Sequence, residues 1–276
     1  MTNTDIMSFL RKQESILKYL VTINKIPASA GMTGNMKVEI CANSYQSAIN
    51  AEKAGANRIE LCSELAIGGI TPSYGLLKKI MNDLTIPVHV LIRPRSGDFT
   101  FSQTEFEIMK ENILLCKELG VAGIVSGVLH LDSTIDIGRT QELVALSNPM
   151  NFTFHRAFDW VLNPLAAIKK LENIGVQRIL TSGQEASAEK GIGNLVHWNK
   201  STSITVMPGG GISTENILLF KENGFKEVHL SASKQIKTID TPLISMNSPK
   251  HFEETQQATS DVQKIKDCIA LLSNEN

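Results

Sequence analysis

The chain has 276 residues, 42% of them hydrophobic and 20% charged, so it is long and apolar enough to bury a sizeable core, and disorder is excluded. Lys and Arg number 27 against 28 Asp and Glu, and that net charge of −1 argues against a nucleic-acid binder driven by phosphate neutralisation. No apolar run reaches the roughly 18–20 residues of a membrane span, and four cysteines without C-x-x-C spacing form neither a disulfide framework nor a structural zinc site.

Residues 1–35 stand apart from the rest. A helical stretch near 5–22 is broken by Arg11, Lys12, Glu14 and Lys18, with no apolar core of the kind a secretory signal needs. The pattern SFLRKQES…IPASAGMTG resembles a translated bacterial intergenic repeat. It is read as an N-terminal extension or a mis-set start, with the domain beginning at Met36; the alternative is a helix that packs on the domain.

From Met36 the pattern is regular. Strands are expected at 36–41, 57–62, 87–93, 122–127, 151–155, 177–182, 203–207 and 227–231. Helices are expected near 44–54, 73–82, 103–119, 138–147, 163–174, 187–199 and 213–223, and at 260–273 after a polar segment, 235–259, that reads as a mobile loop. Ser44, Ser102 and Ser213 suit N-caps, and Gly55, Gly120, Gly175 and Gly224 suit helix ends. Eight strand–helix units in one domain, 36–276, fit a (β/α)8 TIM-type barrel. A doubly wound sheet is the rival, but no Gly-rich dinucleotide fingerprint follows the first strand.

Strand side chains alternate between faces. Val38 and Ile40, Ile59 and Leu61, Val88, Val90 and Ile92, Phe152 and Phe154, and Val228 and Leu230 form the aliphatic, helix-facing set. That parity turns Glu39, Cys41, Arg58, Glu60, Cys62, His89, Arg93, His155 and His229 into the barrel. Unpaired buried charge is costly, so these groups either form a structural network or converge on a site at the C-terminal strand ends. Glu39, Glu60, His155 and His229 are then candidate acid–base groups. Cys41 and Cys62 each follow an inward Glu by two residues and lie on neighbouring strands. Two such thiolates suit a soft, low-coordinate ion such as Cu(I), although free cysteine also packs as a small apolar residue. Cys116 and Cys268 fall on helices and read as packing residues.

The loops add anion chemistry. MPGGGIS after the seventh strand brings Gly209, Gly210 and Gly211 to a helix start, and Ser182 ends the sixth strand, where barrels often bind phosphate. Arg93 opens R-P-R-S-G-D-F, where Arg95 and Asp98 either join it in clamping an anion or pair with each other. In F-H-R-A-F-D, Asp159 either orients His155 or pairs with Arg156. No lysine stands at a strand's C-terminal end, which disfavours a Schiff-base aldolase.

VEICANS…AGANRIELCSELAIGGITPSYG, IRPRSGDF, FHRAFD, RILTSG, MPGGGI and EVHLSAS, in that order from Met36 to about Lys234, resemble the CutC family, the copper homeostasis group. The resemblance implies a (β/α)8 barrel, a cytoplasmic location and Cu(I) binding, with Cys41 and Cys62 as the copper ligands. Beside it stands a second reading, a barrel enzyme (isomerase, lyase or hydrolase) acting on a small phosphorylated or carboxylated metabolite. In that reading Arg93, Ser182 and Gly209–Gly211 hold the anion. The expected partners are the copper ion or such a metabolite, with no nucleic acid and no membrane, and a homodimer is the default assembly.

Overall fold

The structure, a computed structural model, describes residues 36–246 and 253–273; the expected N-terminal extension, 1–35, lies outside the described residues. In chain order the elements are β1 (Lys37–Ala42), α1 (Tyr45–Ala54), β2 (Arg58–Leu61), α2 (Tyr74–Asp83), β3 (Val88–Leu91) and α3 (Gln103–Glu118). They continue with β4 (Gly123–Ser126), α4 (Ile137–Ser147), β5 (Asn151–Phe154), α5 (Pro164–Asn173), β6 (Arg178–Thr181) and α6 (Ile192–Lys200). The chain closes with β7 (Thr205–Pro208), α7 (Ile217–Glu222), β8 (Glu227–Leu230), β9 (Ser233–Lys237), β10 (Gln256–Ser260) and α8 (Val262–Ser273). The first eight strands pair in parallel in the order β7-β6-β5-β4-β3-β2-β1-β8, and a bridge between Gly209 and His229 carries the ring from β7 to β8. This is the expected (β/α)8 barrel.

Local chemistry explains where the helices begin. Ser44 caps α1 by accepting from the Ser47 N–H, and Gly55 ends it at φ 89°, a left-handed conformation costly for residues with a Cβ. Ser102 and Glu105 form a reciprocal capping box on α3. Asn163 caps α5, whose first residue is Pro164, where the missing N–H costs nothing. The expected Ser213 cap is not made: residues 214–216 form a turn, and α7 starts at Ile217 after Asn216. Likewise α6 begins at Ile192, not 187, because residues 188–191 form a turn first.

The alternation rule holds around the barrel. Every residue of the expected helix-facing set joins one large buried cluster between sheet and helices, with Phe106, Phe158 and Phe220 among its largest members. Each fully buried side chain of that size contributes about 1.5–3 kcal/mol. Inside the barrel a separate apolar cluster holds only Cys41, Cys62, Leu91 and Val125. Polar and charged side chains occupy much of the remaining interior, where such barrels ordinarily stack Val, Ile and Leu.

The tail differs from expectation. The segment expected as a mobile loop contains an antiparallel hairpin, β9 with β10, registered from Ser233 opposite Ser260 to Lys237 opposite Gln256. Its second strand is pinned to α1 and the residues before it: Asn43 Nδ2 donates to the Ala258 carbonyl at 3.2 Å and Asn50 Nδ2 to that of Ser260 at 2.8 Å. The Ser260 N–H donates to Ser47 Oγ at 3.1 Å.

Candidate functional site

A cavity of about 830 Å³ opens at the C-terminal ends of the strands, within the ordinary size of small-molecule sites. Strand ends bring Cys41, Glu60, Cys62, His155 and His229 to it, and loops bring Arg93, Arg156, Gly210 and Gly211. Three expected site residues do not line it: Glu39, Ser182 and Gly209.

Glu39 lies in a floor of charge below the cavity. The Arg58 guanidinium donates from Nε to Glu39 Oε2 and from Nη2 to Glu227 Oε2. Arg178 Nε reaches the same Glu227 oxygen at 2.8 Å. Two arginines and two carboxylates therefore compensate one another deep in the barrel. Burial by itself would push Glu39 up, but Arg58 and His229 beside it hold its carboxyl well below the usual range. Glu227 is lowered in the same way, burial opposed by Arg58 and Arg178. Glu39 is a fixed anion that positions its neighbours. Glu227 is not among the expected site residues, yet it stands two residues before His229 on the same strand and so shares its inward parity.

His229 joins floor to mouth. Its Nδ1 lies 2.7 Å from Glu39 Oε1 and its Nε2 3.3 Å from Glu60 Oε2. Burial disfavours its charge, but the carboxylates of Glu60 and Glu39 outweigh that and raise its pKa. Glu60, without an arginine of its own, is pushed by burial up to about 7, against the pull of His229. His89 sits beside the floor, its Nδ1 3.7 Å from Glu39 Oε2, and burial lowers it to about 4, so it is neutral at pH 7.

The register of β1 and β2 sets Cys41 opposite Glu60, and Cys62 follows at the next inward position. The two sulfurs lie 3.7 Å apart. The ligating atoms of Cys41, Glu60 and His229 all lie within 4.8 Å of one another. The contact with Cys62, then burial, raises the Cys41 thiol well above its ordinary value, so an ion binding there must displace its proton. Cys116 packs in the outer core, where burial pushes it up to about 12 and leaves it inert.

The loops answer the alternatives left open. Arg95 pairs with Asp98 at 3.2 Å and with Glu105 at 2.6 Å, so these residues brace the loop. Arg93 does not join them: its Nη1 donates to the carbonyls of Ile67 and Gly69 and its Nη2 to that of Gly97. Asp159 pairs with Arg156 at 2.8 Å, not with His155. Asp159 also accepts from the Ser182 N–H at 3.0 Å and its Oγ at 3.1 Å, which turns Ser182 away from the cavity. The Gly209 N–H donates to the Thr181 carbonyl at 3.0 Å and is equally committed. His155 accepts from the Ala157 N–H through Nδ1 at 3.3 Å, and burial, then Arg93, lowers it to about 3. Gly127 makes room for it, since a Cβ there would meet the imidazole at 2.9 Å. Phe99 and Trp160, which line the outer wall and pack edge to face at 5.0 Å, were not singled out from sequence.

The class is a (β/α)8 barrel with a thiol, carboxylate and imidazole cluster at its C-terminal mouth. The CutC family model matches residues 36–234, and the chain belongs to the CutC family. A "family protein CutC" of Proteus mirabilis is 46% identical over 200 residues, which cover 72% of this chain and 80% of that protein. One of Photorhabdus laumondii is 47% identical over 199 residues, covering the same shares. The crystal structure named "Putative Copper Homeostasis Protein CutC" from Streptococcus agalactiae superposes with a TM-score of 0.67 at 32% identity, covering 71% of this chain and 98% of that one. Thiamine phosphate pyrophosphorylase from Pyrococcus furiosus, at 10% identity and a TM-score of 0.53 over 87% of this chain and 98% of its own, shares the fold alone. Among the described residues no helix is long and apolar enough to cross a membrane.

Proposed function

We propose that this protein handles copper by binding Cu(I) as cargo through the thiolates of Cys41 and Cys62, with Glu60 and His229 beside them. The observation that carries this reading is the sulfur pair at the edge of an open cavity. A separation of 3.7 Å lets both sulfurs reach a single ion. Paired thiolates favour Cu(I) over harder ions. The copper homeostasis name of the Streptococcus agalactiae relative points the same way. All four cysteines are free, which suits a reducing compartment, and we place the protein in the cytoplasm as a homodimer.

Anaerobic titration of the full chain with Cu(I) against a competing chelator tests this. One ion should bind per chain, more tightly as pH rises because the thiols must release protons. Cys41→Ser/Cys62→Ser should weaken binding by about 100-fold or more. Binding that survives in the double variant overturns the two-thiolate site.

A second reading rests on a different observation. Glu60, pushed up to about 7 beside His229, is poised to exchange protons near neutral pH. That suits a barrel enzyme acting on a small phosphorylated or carboxylated metabolite, and turnover in a metabolite screen that Glu60→Gln abolishes would support it.

A further inference from the structure

On the side of the cavity where Arg93 and His155 stand, two cationic or donor side chains keep hydrogen-bonding capacity that the protein does not use. Arg93 is 5% exposed, and among the described residues it forms no ion pair with a carboxylate. Asp98, an acid whose field it feels, is paired with Arg95. Of the five N–H donors of a guanidinium, three meet carbonyls, and the buried Nε–H has no partner. His155, also 5% exposed, accepts at Nδ1 from the Ala157 N–H. The proton of the neutral ring then stands on Nε2, which is buried and likewise without a partner. One aromatic side chain, Phe99, covers both: its ring centroid lies 5.0 Å from the Arg93 guanidinium carbon and 4.8 Å from the His155 ring.

A buried unpaired donor is costly, the more so when it is charged. Two of them on one cavity wall, one carrying a full charge, mark a place completed by a ligand that accepts hydrogen bonds and carries negative charge. Arg156, which also lines the cavity near Gly210 and is about half exposed, is paired with Asp159. We propose that the mouth holds an oxyanion subsite in which Arg93 and the Nε2–H of His155 bind the carboxylate or phosphate group of a small metabolite. Phe99 swings aside to admit it, and Arg156 faces the rest of the molecule. The subsite rests on the second, metabolite reading above and requires no copper, so it stands or falls apart from the copper reading.

The test is calorimetric titration of the metal-free full chain, at constant ionic strength, with inorganic phosphate in one arm and succinate in the other. Saturable 1:1 binding of either ion is expected, and the arm that binds tells phosphate from carboxylate chemistry. His155→Phe, which keeps the ring volume, should weaken it about 5-fold or more, and Arg93→Gln more than 10-fold. Arg95→Ala should leave it unchanged. Because Arg93 also ties three loop carbonyls together, its variant is read beside a melting curve, and the His155 variant decides if the Arg93 variant fails to fold. Binding of neither ion, or binding that His155→Phe leaves intact, overturns the subsite.

Discussion

Glu39 and Glu60 stand on neighbouring strands of the same barrel, 1% and 4% exposed, and their surroundings drive them in opposite directions. Glu39 meets Arg58 and His229 and stays ionised, whereas Glu60 meets no arginine directly and holds its proton up to about 7. The same contrast separates the two levels of the barrel. In the floor Arg58, Arg178, Glu39 and Glu227 compensate one another. At the mouth Arg93 and His155 retain unmet donors, and two thiols face each other. Arg178 Nη1 and His89 Nδ1 are buried without a partner too, so neither burial nor an unmet donor by itself marks function; what sets the mouth apart is that Arg93 and His155 line an open cavity, which His89 and Arg178 do not.

The floor should be the costlier level to break. Arg58→Met removes the cation that two buried carboxylates share, and such one-sided loss of a buried pair costs about 3–5 kcal/mol. Urea unfolding monitored by circular dichroism should show a loss of unfolding free energy of that size. A loss under about 1 kcal/mol would mean that the floor is as loosely built as the mouth.

Acid should also unfold the protein through its buried neutral histidines. His89 titrates at 6.5 when unfolded and is lowered to about 4 when folded, chiefly by burial. Between those values the unfolded chain binds a proton that the folded chain refuses, so stability falls as the pH drops through that window. His89 alone accounts for about 3 kcal/mol by pH 4, and His155, lowered to about 3, acts in the same direction. His89→Gln should flatten the stability profile between pH 6.5 and 4; an unchanged slope would assign the acid sensitivity elsewhere.

Much of this arrangement was legible in the chain because side-chain alternation is a local rule. Val38, Ile40, Phe152 and Val228 marked the outer face, and the inward parity of Glu39, Cys41, Glu60, Cys62 and His229 followed. The choice of partner was not legible. Pairing of β1 with β8 brings Glu39 to His229 across 190 positions of sequence, and no spacing rule reports which carboxylate an inward arginine will meet. Ser182 looked free for an anion because Asp159, its actual partner, arrives from the turn after β5. The β9–β10 hairpin was hidden by polarity: Lys234, Gln235, Ile236 and Lys237 are all exposed and show no half-buried alternation.

Glu60→Gln probes the mouth with the opposite sign of pH dependence. The folded value of about 7 lies above the ordinary 4.5, so the folded chain holds the extra proton between them. The resulting stability is present at low pH and lost as pH rises through 7. Because His229 shares the titration, the loss by pH 8.5 should be about 1–2 kcal/mol rather than the full linkage value. The Gln variant should lose this dependence and equal or exceed the parent above pH 8. Thermal melts of metal-free protein from pH 5 to 9 measure it, and a parent whose stability rises across pH 7 would contradict the burial-driven shift.

The smallest effect is expected at Arg95, which shares an R-P-R tripeptide with Arg93. Proline separates the two and sends them to different surroundings. Arg95 is about one-third exposed and is answered by Asp98, Glu105 and the Thr100 carbonyl. Arg93 is buried and is answered only by carbonyls. An exposed pair of this kind contributes about 0–1 kcal/mol, screened further by salt. Arg95→Ala should therefore lower stability by no more than about 1 kcal/mol and leave Cu(I) affinity unchanged, as measured by urea unfolding at two salt concentrations and by chelator competition. A larger loss, insensitive to salt, would show that the loop carrying Phe99 depends on Arg95 for its position, and that part of the mouth is then as tightly built as the floor.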